Sequence, residues 1–542
     1  MAEARNILFI MCDQLRWDYL SCNGHPHLQT PNIDRLAAEG VNFTNSFVQS
    51  PFCGPSRMSF LTGRYVSSHG ATWNGVPLSV GQLNIGDYLR PAGLRCAIVG
   101  KTHMAGDRDG LARLGVDPES PAGVFSLQCG LDPVERDDGL WPDEIADPNL
   151  AYNRYLREKG YDGDNPWQSW ANSAEGPNGE ILSGWFLGNN HLPARVRAED
   201  SETAYMTNRA IEFMREQGEA PFLLHLSYIK PHWPYIAPTP YHAMYGDNEL
   251  LPPVRSDVER TRGNPVVREH METPEGRNFS QESVRRNVLP AYMGLIRQID
   301  DELGRLFGWM RESGRMDDTL IVFTSDHGDF LGDHWLGEKE MLYDCSVRIP
   351  MLIRDPGVRA NRTRGTTNTG LVESIDLIPT FLDTLGAWED QGHRLEGESL
   401  TPILHGVRRS TGRDTAFSEI DYSFREPRKL LGLAPSDCRG YMARTHDWKY
   451  ILWEGFAPQL FDLRIDPNEL SDLGTDPAYA ELRDGLHERL FRWLRTRSRR
   501  VTMSEREVDR RLGRARRAGI IIGEWKPEET IRRPTDNGGN GA

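Results

Sequence analysis

Four short, almost continuously apolar runs restrict the architecture open to this 542-residue chain: Asn6 to Cys12, Arg95 to Gly100, Pro221 to Ile229 and Thr319 to Thr324. Uninterrupted hydrophobicity over so few residues suits a strand covered on both faces. Helical signals lie between the runs. Pro31 to Glu39 carries Thr30 as cap and Pro31 at its first position. Asn84 to Arg90, Ala198 to Gln217 and Ser283 to Arg315 follow, with Pro290 marking an irregularity or kink. Ile349 to Ile353 reads as a further strand and Ser374 to Leu385 as a helix. Strand and helix alternate to about residue 390, which predicts an α/β fold: a doubly wound, mostly parallel sheet flanked by helices, over residues 1–395. The stretches 106–193 and 238–279 are rich in loop-forming residues and predict long loops that shape a substrate pocket. Beyond them, Gly440 to Trp453 and Pro458 to Leu463 read as antiparallel strands with a turn at Glu454-Gly455, and Ala478 to Arg495 as an amphipathic helix. A smaller C-terminal antiparallel sheet plus helix is therefore expected over 396–496, followed by an Arg-rich arm over 497–542.

Each of the four runs ends in polar residues: Asp13-Gln14, Lys101-Thr102-His103, Lys230-Pro231-His232 and Asp326-His327. The carboxyl ends of parallel strands converge, and open α/β sheets place their sites there. Asp13, Gln14 and Asp326 offer the oxygen ligands that suit a hard divalent cation, with His327 as an imidazole neighbour or ligand. Alone, Ser-Asp-His-Gly at 325–328 is ordinary turn chemistry, and a single Lys or His is usually a solvated charge. The set gains its meaning from convergence of roles in one cleft.

The loop Ser50-Pro51-Phe52-Cys53-Gly54-Pro55-Ser56-Arg57 feeds a helix expected from about Ser56 to Leu61, ending near Gly63. Cys53 would sit just before the helix N-terminus, where free backbone N–H groups favour an anion. Arg57 adds positive charge one turn on. A sulfur nucleophile or its derivative beside an anion cradle suits cleavage of a negatively charged ester.

Cys53-Gly54-Pro55-Ser56-Arg57, followed by Leu61-Thr62-Gly63-Arg64, resembles the signature of the sulfatase family in the alkaline phosphatase superfamily. In that family the Cys is oxidised after translation to formylglycine. The resemblance runs from Asn6 to about Tyr479. The segments 241–245 and 460–469 look like the bacterial arylsulfatase and phosphonate monoester hydrolase group. It implies an alkaline-phosphatase-like fold and a site in which Cys53, Arg57, Lys101, His103, His232 and Lys339 are catalytic. Asn74 and Lys230 would bind substrate, and Asp13, Gln14, Cys53, Asp326 and His327 would hold one divalent metal ion. The implied activity is a formylglycine-type sulfuric ester hydrolase, arylsulfatase-like, working through a covalent hemiacetal ester. His232 or Lys339 would protonate the leaving alcohol, and His103 would release the product anion. Asp13-Gln14 and Asp326-His327 depart from the usual sulfatase residues and resemble the phosphonate monoester hydrolase branch. They leave Ca²⁺ and Mn²⁺ both open and suggest phosphonate monoester or phosphate diester hydrolysis as the alternative activity.

The net charge of −15 argues against nucleic acid as a partner and requires a local basic pocket for an anionic ester. The cysteines (12, 22, 53, 96, 129, 345 and 438) are scattered and form no C-x-x-C pair, and neither a signal peptide nor a membrane span is visible. A cytoplasmic protein is expected, matured by a formylglycine-generating enzyme. Glu505, Glu507 and Asp509 interleave the arginines of the arm, which predicts ion-paired contacts in a homo-oligomer, dimer or tetramer.

Overall fold

The computed structural model describes residues 4–139, 150–388, 391–497, 500–514, 523, 524 and 526. Among these, one eight-stranded sheet holds all four apolar runs. In chain order its strands are β1 (Asn6–Asp13), β2 (Val41–Phe43), β3 (Arg95–Gly100), β4 (Asp132–Arg136), β5 (Phe222–Pro231), β6 (Thr319–Ser325), β7 (Met351–Arg354) and β8 (Thr366–Asn368). Their order in space is β8-β2-β7-β6-β1-β5-β3-β4. β1 is central and parallel to both β5 and β6, with Leu8 beside Leu224 and Ile321. β7 runs antiparallel to β6 and β2, so the sheet is mostly rather than wholly parallel.

Every residue of β1, β5 and β6 is buried. The period of two divides them between two cores. Ile7, Phe9 and Met11 enter one with Met58, Phe60 and Leu61 of helix α2 (Cys53–Thr62). Leu8 and Ile10 enter the other with Ile33 of α1 (Pro31–Glu39), Phe213 of α3 (Glu202–Glu216) and Leu289, Ile296 and Leu303 of α4 (Glu282–Glu312). Helices on both faces make this the doubly wound architecture the alternation predicted.

A second, antiparallel sheet follows: β9 (Ala416–Asp421), β10 (Arg439–Arg444), β11 (Trp448–Trp453) and β12 (Gln459–Asp462). Leu486 and Leu490 of α5 (Ala480–Arg495) cover one face against Ala443, Tyr450 and Leu460. The other face sends Ile420, Met442, Ile451 and Trp453 into the core shared with Phe9 and Phe60.

Several local expectations are corrected. α2 begins at Cys53 itself, not at Ser56. Thr30 makes no capping bond to α1, because its hydroxyl is engaged with Ser21 and Asp34. Ile349 to Ile353 is split between two sheets, with Arg348–Ile349 pairing to Ser46–Phe47. The stretches read as loops contain β4 and the helices Arg108–Leu114, Pro121–Leu127, Ala151–Glu158 and Pro265–Met271. β4 escaped notice because its polar sequence belongs to a sheet edge. α4 continues through Pro290. Most of the expected C-terminal arm lies outside the described residues; within them Glu505–Arg511 is a helix in which Glu507 pairs with Arg510 and Arg511. All seven cysteines are free thiols. Among the described residues no helix is long and apolar enough to cross a membrane.

Candidate active site

β1, β3, β5 and β6 stop at one end of the sheet, so the polar residues that follow them meet. The backbone turns sharply there. Gln14, at φ 65°, and His103, at φ 47°, occupy left-handed conformations that non-glycine residues rarely adopt. At Gly100, φ is 108° and a Cβ would overlap the Ser227 carbonyl. Glycine there lets β3 approach β5 closely and aims Lys101 inward. Strain of about 1–3 kcal/mol per such residue is typical of functional sites.

Asp13, Cys53, Asp326 and His327 form the centre: one potential ligand atom from each lies within 4.8 Å of all the others, and all four residues are buried. Cys53 Sγ is 3.1 Å from His327 Nε2 and 3.9 Å from Asp13 Oδ1. His327 Nε2 is 3.7 Å from both Asp13 Oδ1 and Asp326 Oδ2. Cation–ligand bonds of about 2.0–2.6 Å put neighbouring ligand atoms at such separations. His327 Nδ1 lies 2.9 Å from the Gly328 carbonyl, which accepts an Nδ1 proton and turns Nε2 to the centre. Two carboxylates, a sulfur and an imidazole nitrogen thus face one another, and this donor set fits a divalent cation. The hard oxygens suit Ca²⁺ or Mn²⁺, and the imidazole adds weight to Mn²⁺.

Positive charge surrounds the centre unevenly. Lys101 Nζ is 2.5 Å from Asp13 Oδ2. Arg57 reaches Asp326 Oδ2 through Nε (2.8 Å) and Asp13 Oδ2 through Nη2 (3.1 Å), and it donates to the Lys101 carbonyl and Ser227 Oγ. The guanidinium is therefore committed to the two carboxylates. Burial and Cys53 would raise the Asp13 carboxyl, but the fixed charges of Lys101 and Arg57 hold it below the usual carboxylate range. Burial pushes Asp326 up; Arg57 relieves it, by more than Asp13 repels it, but the carboxyl stays above its ordinary value. Burial would also raise the Cys53 thiol; Lys339, Lys101, His327 and His103 reverse this and bring it well below its ordinary value.

Lys339 and His232 form the outer wall. Lys339 Nζ is 3.1 Å from His232 Nε2 and donates to Gln14 Oε1 at 2.9 Å. His232 Nδ1 lies 2.7 Å from the Trp233 carbonyl. Burial, with Lys101 and Lys339 nearby, lowers the His232 imidazole to about 3, so it is neutral near pH 7 and accepts from Lys339. Lys339 is buried but faces Cys53, Glu338, Asp13 and Asp326, which push its ammonium above the usual lysine value. Of the two expected proton donors, Lys339 carries the proton.

Asn74 Oδ1 accepts from the Gly54 N–H at 2.7 Å and anchors the start of α2. A Cβ on residue 54 would crowd that amide. Gln14 touches Asp326 through its backbone N–H (3.0 Å), but its side chain turns to Lys339, Tyr235 and Asp329 and not to the four-donor centre. Lys230 bonds the Pro234 carbonyl (2.8 Å) and Asn172 Oδ1 (3.2 Å) and faces Glu202, so it supports the wall behind the centre. Two supporting residues had no role assigned from sequence. Asp329, three residues beyond Asp326, holds both Gln14 and Tyr235. Asp138 accepts from the backbone N–H groups of Thr102 and His103 at 2.9 Å and fixes the strained turn. The first lay in the same polar stretch as Asp326; the second sits in a region without periodic signal.

This geometry, on this fold, is that of an alkaline-phosphatase-like hydrolase. The Sulfatase family profile matches residues 5–387, and the chain belongs to the sulfatase family. The C-terminal profile of N-sulphoglucosamine sulphohydrolase matches residues 332–496. Among individual proteins, the chain is 34% identical over 513 residues to a multifunctional alkaline phosphatase superfamily protein, PehA, of Trinickia caryophylli, covering 90% of this chain and 95% of that one. It is 30% identical to an arylsulfatase of Clostridium perfringens, with 90% and 94% covered. A solved phosphonate monoester hydrolase from Silicibacter pomeroyi superposes with a TM-score of 0.79 at 29% identity, covering 92% of this chain and 96% of that one.

Proposed function

We propose that this protein is a formylglycine-type hydrolase of sulfate monoesters, with the aldehyde made from Cys53. The position of residue 53 carries the reading: it opens α2, lies within 4 Å of Asp13 and His327, and sits among Lys101, Lys339 and His103. Cys53 Sγ stands where an oxygen of the hydrated aldehyde would be. When present, that hydrate supplies a hydroxyl nucleophile and the divalent cation supplies Lewis acidity beside it.

The chain's own residues account for the remaining requirements. Asp13, Asp326 and His327 would hold the cation, and Arg57 keeps the two carboxylates in register. Lys101 and Lys339 supply fixed positive charge beside residue 53 for the oxygens of a singly charged tetrahedral ester. Lys339 is the proton donor to the leaving alcohol, oriented by neutral His232. His103 lies against residue 53 and serves as the base that restores it. Mass analysis of the peptide spanning residue 53 tests the reading. Fully active enzyme with an unmodified Cys53 would overturn it.

A second reading is favoured by particular observations. Asp13-Gln14, Asp326-His327 and the likeness to phosphonate monoester hydrolases support hydrolysis of phosphonate monoesters or phosphate diesters in the same pocket. Both ester types carry one negative charge on a tetrahedral centre. The ratio of kcat/KM on an aryl sulfate to that on a phenyl phosphonate ester ranks the two.

A further inference from the structure

The large sheet ends in β4 on one side and β8 on the other, and a cavity of about 490 Å³ lies against β8. Its walls are β8, the 406–410 loop and the turn between β10 and β11 that carries His446. β8 is four places from β1 in the sheet. At roughly 4.8 Å per strand, about 19 Å of lateral spacing separates this cavity from the four-donor centre.

Its lining runs against the charge of the molecule. The chain carries a net charge of −15, yet no carboxylate lines this cavity, whereas Arg408, Arg409 and His446 do. Among the described residues the two guanidinium groups make no ion pair and no hydrogen bond. The hydroxyls of Thr367, Thr369 and Ser410 on the same walls are likewise without protein partners among the described residues. The loop that presents the arginines is pinned. Asn368 Nδ2 donates to the Arg409 carbonyl at 2.8 Å. The Val407 and Arg408 N–H groups donate to the Pro402 carbonyl at 2.8 and 3.0 Å, and Gly406 turns the chain at φ 65°. A Cβ on Gly370 would stand 3.2 Å from the Ser410 side chain, so glycine there lets the loop close on the end of β8. A single exposed arginine is ordinarily a solvated charge. Two on one pinned loop, with an imidazole and free hydroxyls around the same space and no counter-charge, converge as a binding site does.

The size and the chemistry narrow the ligand. Small organic molecules occupy sites of about 300–1,000 Å³, and a lone oxyanion would leave most of this cavity empty. No Phe, Tyr or Trp lines it, so it offers no ring on which a base or aryl group could stack. We propose that this edge cavity is a second, non-catalytic anion site whose ligand is a hydroxyl-rich organic phosphate of the size of a sugar phosphate. Guanidinium groups hold phosphate oxygens through paired, charge-assisted hydrogen bonds, and a dianion answers two of them at once. The Thr367, Thr369 and Ser410 hydroxyls can each donate and accept, which matches the hydroxyls of the ligand. None of these residues belongs to the centre around residue 53, so the proposal stands whatever ester that centre cleaves.

Calorimetry on the full-length protein at low salt tests it, with glucose 6-phosphate, glucose 6-sulfate and glucose as probes. Wild type is expected to bind glucose 6-phosphate with a submillimolar Kd and the singly charged sulfate about tenfold more weakly, with no heat from glucose. The double variant Arg408→Gln, Arg409→Gln should weaken glucose 6-phosphate at least tenfold while kcat and KM on an aryl sulfate stay as in wild type. Thr367→Val should weaken it about threefold. Both arginines are exposed, so their replacement does not threaten folding; matching thermal midpoints verify this. An unchanged isotherm in the double variant would assign the binding to the catalytic centre and overturn the proposal. So would the absence of binding to wild type at millimolar concentration, or glucose binding as tightly as its phosphate. Equal affinity for the sulfate and the phosphate would overturn the dianion as its ligand.

Discussion

Two buried ionic clusters lie at either end of the segment 339–344. At the far end, Lys449 Nζ, fully buried on β11, is 2.5 Å from Asp344 Oδ1 and 2.5 Å from Glu469 Oε1, and it donates to the Leu342 carbonyl at 3.1 Å. Its ammonium has three donors and meets three acceptors. At the near end, Asp13, Cys53, Asp326 and His327 each turn a potential ligand atom toward the others, with Lys101 on Asp13 Oδ2 and Arg57 on both Asp13 Oδ2 and Asp326 Oδ2. Both clusters carry the desolvation cost of several kcal/mol per buried charge. The first offsets it internally and ties the small sheet to the segment that carries Lys339. The second offsets it in part through Arg57 and Lys101, and its four converging ligand atoms make a possible metal site. Saturation marks the structural cluster, and the converging ligand atoms mark the chemical one.

The largest effect expected from this contrast is Cys53→Ala. It should lower kcat by about 10⁴-fold or more with little change in thermal midpoint, because it deletes the proposed nucleophile and no saturated pairing. Comparable activity in the variant would remove residue 53 from the chemistry. Lys449→Met should do the reverse. It leaves Glu469 buried without its cation and Asp344 with only the longer Arg444 contact at 3.4 Å, and should cost about 3–5 kcal/mol in denaturant unfolding; a stability loss below 1 kcal/mol would show that this cluster is not what holds the small sheet in place.

Removal of divalent metal comes next in size. A cation present at 100 times its dissociation constant stabilises the folded chain by about 2.7 kcal/mol. A chelator should therefore lower the melting temperature of wild type and of Lys449→Met alike, and should have no effect on an Asp13→Asn, Asp326→Asn double variant. Equal sensitivity in the double variant would place the metal elsewhere.

Glu338, beside Lys339, gives a pH test. Burial raises its carboxyl from 4.5 to about 7. The folded state then binds more protons than the unfolded state between those values, so this group lowers stability as pH rises from 4.5 to 7. Glu338→Gln should flatten that slope in urea unfolding curves, and an unaltered slope would assign it to other groups. The smallest effect is Asn74→Ala, which removes one neutral hydrogen bond, about 1 kcal/mol, from the start of α2. A loss of about fivefold in kcat/KM is expected, and a loss beyond a hundredfold would mean that Asn74 touches the reacting ester.

Much of the frame was readable beforehand. β1, β5 and β6 are buried on both faces, and an unbroken apolar run admits few other uses. The residues after those strands could be nominated because a parallel sheet collects its carboxyl ends. β4 was missed because edge strands carry polar residues, and Thr30 lost its capping role to a competing partner, Asp34. Phe424 gave no signal at all: its stacking on Trp73 joins two loops hundreds of positions apart in the chain.

The linear order of residues thus determined the doubly wound sheet, the chemistry-bearing side chains and the family to which they belong, since periodicity and residue type are local properties. Tertiary structure alone decided what each of those side chains does. It committed Arg57 to two carboxylates, turned the Gln14 amide to Lys339, left His232 neutral and Lys339 charged, and brought Phe424 to Trp73. The physical reason is that protonation, pairing and desolvation depend on distance and burial, and those are set by contacts between residues hundreds of positions apart.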